Sequence, residues 1–178
     1  SKIAPLRILS IDIECASTGH FPNPKNDPVI QISNICIEFG VNNNAPIVQK
    51  LFSYKPCADI VGVDVHSYQS EAQMLREWRA FVKDIDPDII TGFNINMFDI
   101  PYLINRANEL NVKEFPFLSR IITTQSKVKH KTSKVKGFMN RDNIDINIEG
   151  RIILDMYTYV LREQKLRSYS LNNVSFQF

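Results

Sequence analysis

The sequence predicts an α/β domain of three layers, a mixed β-sheet flanked by helices. Two observations carry that expectation. Apolar residues alternate with polar ones, the strand period, over much of residues 7–54; from Ser70 onward they recur at helical spacing, interrupted by short apolar runs. The resulting order is three strands, then helix, strand and helix, then a trailing strand and further helices.

Arg7 to Glu14 (RILSIDIE) is the first strand. Leu9, Ile11 and Ile13 alternate with Ile8, Ser10, Asp12 and Glu14, so the two acids share one face. Cys15 to Pro28 is a polar loop broken by Gly19, Pro22, Pro24 and Pro28. Val29 to Phe39 is a second strand whose apolar phase slips from Ile30 and Ile32 to Ile35, Ile37 and Phe39, which indicates a bulge or burial on both faces. Three asparagines at 42–44 mark a turn, and Ile47 to Tyr54 is the third strand of a meander. Ser70 with Gln73 three residues on forms a capping box; Met74, Leu75, Trp78, Phe81 and Val82 follow on a helical stripe that places Trp78 in the core. Asp86-Pro87 ends that helix, and Asp88 to Gly92 (DIITG) reads as a short buried strand of the parallel kind. Pro101 suits the first turn of a second helix, with Ile100, Leu103, Ile104, Ala107 and Leu110 on one stripe. Residues 127–141 are basic and polar. Ile144, Ile146 and Ile148 alternate as a strand, and Arg151 to Leu154 is either a final strand or the end of that one. A helix follows from Asp155 to about Gln164, and another begins near Ser168.

Composition excludes several classes. At 178 residues and 20.5 kDa, with 44% hydrophobic residues, the chain is one domain with a substantial core. A net charge of +2 and an isoelectric point near 8.4 lack the strongly basic signature of a dedicated duplex-DNA binder, while leaving room for a short basic patch. No apolar run approaches the ~18 residues of a membrane span, no signal-peptide pattern opens the chain, and no membrane partner is expected. Cys15, Cys36 and Cys57 form no CxxC pair and read as reduced intracellular thiols. His20, His66 and His130 are too scattered for a zinc site, and six glycines make no phosphate loop.

Asp12 and Glu14 are the first candidate site. Two carboxylates at i and i+2 on one strand face oppose joint ionisation unless a cation neutralises them, and hard oxygen ligands suit Mg²⁺ or Mn²⁺. The competing reading is an ordinary solvent face. Asn94-Ile95-Asn96-Met97-Phe98-Asp99 is the second. It puts Asp99 at a helix N-terminus beyond the carboxyl end of a strand, where α/β sheets place ligands; by itself Asp99 equally suits an N-cap.

Together these pieces, Asp-x-Glu and then Asn-x3-Phe-Asp about eighty residues later, resemble the first two motifs of the DEDD 3′→5′ exonucleases. The blocks LRILSIDIECASTGHFPNPKNDPVIQIS, DPDIITGFNINMFDIPYLINRANEL and EGRIILDMYTYVLREQKLRSYSLNNVSF resemble the proofreading exonuclease domain of family B DNA polymerases, most of all the eukaryotic delta type, over about Leu6 to Phe178. The resemblance implies an RNase H-like fold with two Mg²⁺ or Mn²⁺ ions held by Asp12, Glu14 and Asp99 as catalytic acids. In such a site one metal makes hydroxide available near neutral pH and the other stabilises the leaving 3′-oxygen. It also implies a frayed single-stranded 3′ end of primer DNA as substrate, gripped by stacking and modest charge. Asn94 and Phe98 fall on the second motif and Phe21 lies in the F-P-N-P loop just after the acids; all three are assigned to the terminal nucleotides, with Phe98 also suited to the core. The polymerase domains of a longer parent chain, accessory polymerase subunits, a sliding clamp and a nuclear location of the parent are implied in the same way.

The family's fourth acid comes from a Tyr-x3-Asp motif, and no tyrosine here has Asp four residues on. Tyr169 to Asn173 has Asn in the acid position, but its surroundings match the stretch upstream of that motif. Asp155 reads as an N-cap rather than as a substitute acid. The expectation is therefore a single exonuclease domain over residues 1–178, a fragment of a larger polymerase that stops before the third motif and is inactive or weak alone. The alternative is a non-catalytic, DNA-guiding module of a polymerase. Five lysines and His130 between Lys127 and Lys136 suit either a contact to the phosphate backbone or a solvated hairpin.

Overall fold

Strict alternation puts β1 (Leu6–Cys15) at the centre of the sheet: Leu9, Ile11 and Ile13 are buried, while Asp12 and Glu14 lie on the exposed side. The structure, a computed structural model, describes residues 4–133 and 141–178. The predicted meander is present, with β1 antiparallel to β2 (Val29–Phe39) and β2 antiparallel to β3 (Pro46–Tyr54). A strand absent from the sequence reading, β4 (Asp64–Tyr68), lies parallel to β3 at the sheet edge. It is short and only half-buried, so it lacks the apolar run that periodicity detects; Phe52 holds it by stacking on His66 and Tyr68 at 6.2 and 6.1 Å between ring centroids.

On the other side of β1, β5 (Ile89–Gly92) pairs in parallel. The basic stretch forms β6 (Lys127–Ser133), antiparallel to β7 (Arg141–Asn147) in a separate two-stranded sheet; the predicted 127–136 segment extends over residues 134–136, outside the described residues. The strand at residues 151–154 is independent: β8 (Ile152–Asp155) pairs in parallel with β5 and gives the sheet order β4-β3-β2-β1-β5-β8. The result is the expected α/β fold, a mixed sheet flanked by helices.

The capping box starts α1 (Glu71–Ile85) as predicted, the Ser70 side chain accepting from the Gln73 N–H, and the stripe from Met74 to Val82 is buried with Trp78 in the core. α2 is Asp99–Glu109, α3 Met156–Glu163 and α4 Leu171–Gln177. α1 packs on β3, β4 and α2, and α3 on β5 and β8.

The phase slip in β2 has a polar cause. Ile32, Asn34 and Cys36 face the core, Ile35 and Phe39 face out, and the register with β3 shifts at Cys36/Ile37. Asn34 is tolerated inside because each polar atom is paired: Oδ1 accepts from Trp78 Nε1 at 2.9 Å, and Nδ2 donates to the Ile32 and Lys50 carbonyls.

A second buried polar group joins the helices to the loop after β1. Arg106 near the end of α2 makes two parallel bonds to Glu71 in the first turn of α1 (Nε–Oε1 2.9 Å, Nη2–Oε2 2.8 Å). Glu71 also accepts from the Val29 N–H at 2.8 Å, and Arg106 Nη1 donates to the Pro24 and Lys25 carbonyls. Both side chains are buried, so removing one partner strands a charge. Arg106→Ala is expected to destabilise the domain by about 3–5 kcal/mol, read as a lower urea midpoint, and Arg106→Lys to recover only part because a lysine cannot make the two-pronged contact.

Candidate active site

Asp99 is the first residue of α2 and no cap; the N-cap position belongs to Phe98, which makes no side-chain cap bond. Its carboxylate turns to β1 instead. β5 ends at Gly92, which leaves the adjoining edge of β1 open, and Asp99 Oδ1 accepts from the Ile13 N–H at 3.0 Å. Ile13 lies between Asp12 and Glu14, so the third predicted acid is seated against the backbone that carries the other two.

Burial and charge act together here. Asp99 is 2% exposed. Desolvation is the main cause that pushes its carboxyl up to about 7; the charges of Asp12 and Asp155 add to it, while the Ile13 N–H and its own backbone N–H oppose it. Partial burial also raises the Asp12 carboxyl. Cys15, at the end of β1, is a half-buried thiol that desolvation pushes up to about 12, which keeps it in the protonated form.

The three acids supply hard oxygens suited to Mg²⁺ or Mn²⁺. Among the described residues, however, no group of three or more His, Cys, Asp or Glu side chains is gathered closely enough to hold a metal ion. The donor chemistry fits a divalent cation, and the arrangement is an open set of acids rather than a closed cage.

The nucleotide-binding candidates fall around the acids. Asn94 has a left-handed backbone (φ 65°), and its carbonyl accepts from the Met97 and Phe98 N–H groups, turning the chain into α2. Phe98 is half-buried against the core, as one of its two readings expects, and also stands edge-on to Phe21, ring centroids 5.4 Å apart. Phe21 is 78% exposed. Its loop is held from beneath: Arg106 takes the Pro24 and Lys25 carbonyls, the Tyr102 hydroxyl donates to the Asp27 carbonyl at 2.7 Å, and Asp27 accepts from the Asn23 N–H. Sequence reasoning missed Tyr102 and Arg106 as loop supports, because both act on main-chain carbonyls of a distant loop.

Asp155 caps α3 as expected, accepting from the Tyr157 N–H at 2.9 Å, but it also accepts from Asn94 and Asn96. A cleft of about 190 Å³ opens beside it, lined by Asn96, Leu154, Thr158, Tyr159 and Arg162 among others. A larger cavity of about 570 Å³ lies between α2 and β6, lined by Asn105, Asn108, Lys113, Lys127 and Lys129 among others.

Because the Asp99 carboxyl sits above its ordinary value of 3.8, the folded chain holds an extra proton from there to about pH 7. The folded state binds more protons in that window, so this group's contribution to stability falls as pH rises through it. Asp99→Asn keeps an oxygen for the Ile13 N–H and removes the charge. It is expected to stabilise the domain at pH 8 by about 2–4 kcal/mol relative to its effect near pH 4, measured by urea unfolding of both proteins at the two pH values.

Comparison with known proteins shows the family. The family model described as DNA polymerase family B, exonuclease domain, matches residues 1–174. The chain is similar to the DNA polymerase delta catalytic subunits of Drosophila melanogaster (48% identical, 100% of this chain and 16% of the relative) and Schizosaccharomyces pombe (47%, with 100% and 16%). It thus spans about one-sixth of the length of these relatives. Among solved structures it is similar to the family B DNA polymerase of the archaeon Pyrobaculum calidifontis, with a TM-score of 0.68 and 25% identity over 98% of this chain and 18% of that one. The family model covers nearly the whole chain and the relatives match it from end to end, so the chain belongs to the exonuclease domain family of the family B DNA polymerases.

Proposed function

We propose that this chain is the proofreading 3′→5′ exonuclease domain of a replicative, delta-type DNA polymerase and hydrolyses the 3′-terminal phosphodiester of frayed primer DNA. The observation that carries it is the Asp99 carboxylate bonded to the Ile13 N–H between Asp12 and Glu14. In this reading Asp12, Glu14 and Asp99 would hold two Mg²⁺ or Mn²⁺ ions. Such ions, when bound, supply the Lewis acidity that makes hydroxide available and offsets charge on the leaving 3′-oxygen.

The chain's own residues do the rest. Asp12 and Glu14 present carboxylates from an exposed strand face that an incoming phosphate can reach. Asp99 is built to lose its proton when positive charge arrives, since burial and the charges of Asp12 and Asp155 are what raise it. Phe21 offers an exposed ring for the terminal base, braced edge-on by Phe98, and Asn94, at the turn that leads into α2, is assigned to hydrogen bonding. The polymerase domains of a parent chain, accessory subunits and a sliding clamp would deliver the primer, in the nucleus. The alternative, a non-catalytic module that only guides DNA, predicts that these acids are dispensable for excision.

In the polymerase chain that carries this domain, Asp12→Ala with Glu14→Ala is expected to slow excision of a mismatched, end-labelled primer at least about 100-fold while synthesis continues. Excision at the unsubstituted rate would sink the catalytic assignment. Phe21→Ala is expected to weaken binding of a single-stranded oligonucleotide by about 1–3 kcal/mol, measured by fluorescence anisotropy in a catalytically blocked background.

A further inference from the structure

Asp155 lies outside the three acids assigned to the reaction, yet it is 5% exposed and fully engaged. Oδ1 accepts from the Asn94 N–H at 2.9 Å and the Tyr157 N–H at 2.9 Å, and Oδ2 accepts from the Asn96 N–H at 3.0 Å. A helix cap needs only the Tyr157 bond. The other two reach about sixty residues back along the chain, into the loop between β5 and α2.

That loop has one difficult conformation to maintain. Asn94 is left-handed without being glycine, a state that persists where its surroundings over-determine it. Its carbonyl accepts from Met97 and Phe98, and the Ile95 carbonyl accepts from Ile100, so the turn passes directly into the first turn of α2 and into Asp99. Asp155 takes two further backbone donors at the start of the loop, those of Asn94 and Asn96.

The anchor itself is rigid. Asp155 stands opposite Gly92 in the parallel pairing of β8 with β5, and the Thr91 hydroxyl donates to the Leu154 carbonyl at 2.7 Å. The carboxylate is therefore placed by the sheet, and the loop hangs from it. A carboxylate whose two oxygens receive three backbone N–H groups is also poorly disposed to ligate a cation as well, which separates its role from that of Asp12, Glu14 and Asp99.

We propose that Asp155 is a positioning residue for the exonuclease reaction: it pins the Phe93–Phe98 loop so that Asn94, Phe98 and Asp99 stand in register with Asp12 and Glu14. The inference rests on the hydrolytic reading of those acids. Asp155→Ala frees two loop amides and leaves the three acids in the sequence. Asp155→Asn retains the oxygen that serves Asn94 and Tyr157, loses the acceptor for Asn96, and keeps the cap of α3.

The test uses the polymerase chain that carries this domain, with Asp12→Ala as the reference for lost chemistry. Hydrogen exchange of the 93–98 segment, single-turnover excision at saturating DNA, oligonucleotide affinity and primer extension are measured for each variant. In Asp155→Ala, exchange in the segment is expected to accelerate at least about tenfold and excision to slow about 10–100-fold. Extension stays within about threefold, oligonucleotide affinity falls because Asn94 and Phe98 lose their register, and Asp155→Asn falls between Asp155→Ala and the unsubstituted chain in both exchange and excision. Unchanged exchange overturns the anchoring; accelerated exchange with undiminished excision overturns the positioning role. Equal loss of excision and extension, shared by Asp155→Asn, would mark a general folding defect and also overturn it. Failure of the hydrolytic reading looks different, because the unsubstituted chain and Asp12→Ala would then excise alike.

Discussion

The site is built around a tight approach of β5 to β1 at Gly92. A Cβ there would lie 2.3 Å from the Ile95 side chain and 2.5 Å from the Ile11 carbonyl oxygen, so only hydrogen fits. That absence lets the end of β5 press against β1 just short of the acids. It also lets Ile95 fold back under the strand end as a fully buried residue. From that point the chain has to turn at once, and the turn ends in Asp99 bonded to Ile13. A bulkier residue would move the strand end, the turn and the carboxylate together.

Polar interactions inside this domain are used to place backbone rather than to add stability by themselves. Glu71 and Arg106 neutralise each other in the interior, an arrangement that seldom exceeds an apolar pair in net stability. Their remaining oxygens and N–H groups instead secure the start of β2 and two carbonyls of the loop bearing Phe21. A comparable knot closes the far end of the sheet. Arg151 donates to Asp86 and to the Pro87 and Leu118 carbonyls, and Arg120 reaches Asp86, Asp88 and the Gly150 carbonyl. The Arg120 and Arg151 guanidinium groups hold the Asp86 carboxyl below the ordinary range, and the Arg7 backbone N–H followed by Arg120 does the same for Asp88, the reverse of Asp99. One end of β5 thus carries stabilised charge, and the other carries an acid kept ready to exchange its proton.

Local signals were legible where one residue's neighbours in sequence were also its partners in space. The Ser70 cap, the stripe of α1 and the in–out alternation of β1 are of that kind, since each depends only on backbone periodicity. Asn34 was not legible: a polar residue on a core face looks like a change of phase until Trp78, 44 residues on, supplies its partner. β4 escaped because its order comes from pairing with β3 and stacking on Phe52 rather than from an apolar run of its own. At the site, Asp12, Glu14, Asn94, Phe98 and Asp99 could be singled out by motif, whereas the supports Tyr102, Arg106 and Asp155 could not. Their side chains act on main-chain atoms about 60 to 80 residues away, and a backbone N–H or carbonyl leaves no mark in the sequence.

The sequence alone determined the order of the elements other than β4 and β6, the face of β1 that carries two acids, and the motif pair that names the family. These follow from period and residue type, which survive without knowledge of distance. Only the tertiary structure decided that Asp99 is a partner of β1 rather than a helix cap, that β8 is an independent strand beside β5, and that Asp155 serves the loop as well as α3. The reason is common to all three. Which carboxylate meets which N–H is set by where β5 stops, and β5 stops where Gly92 meets Ile11.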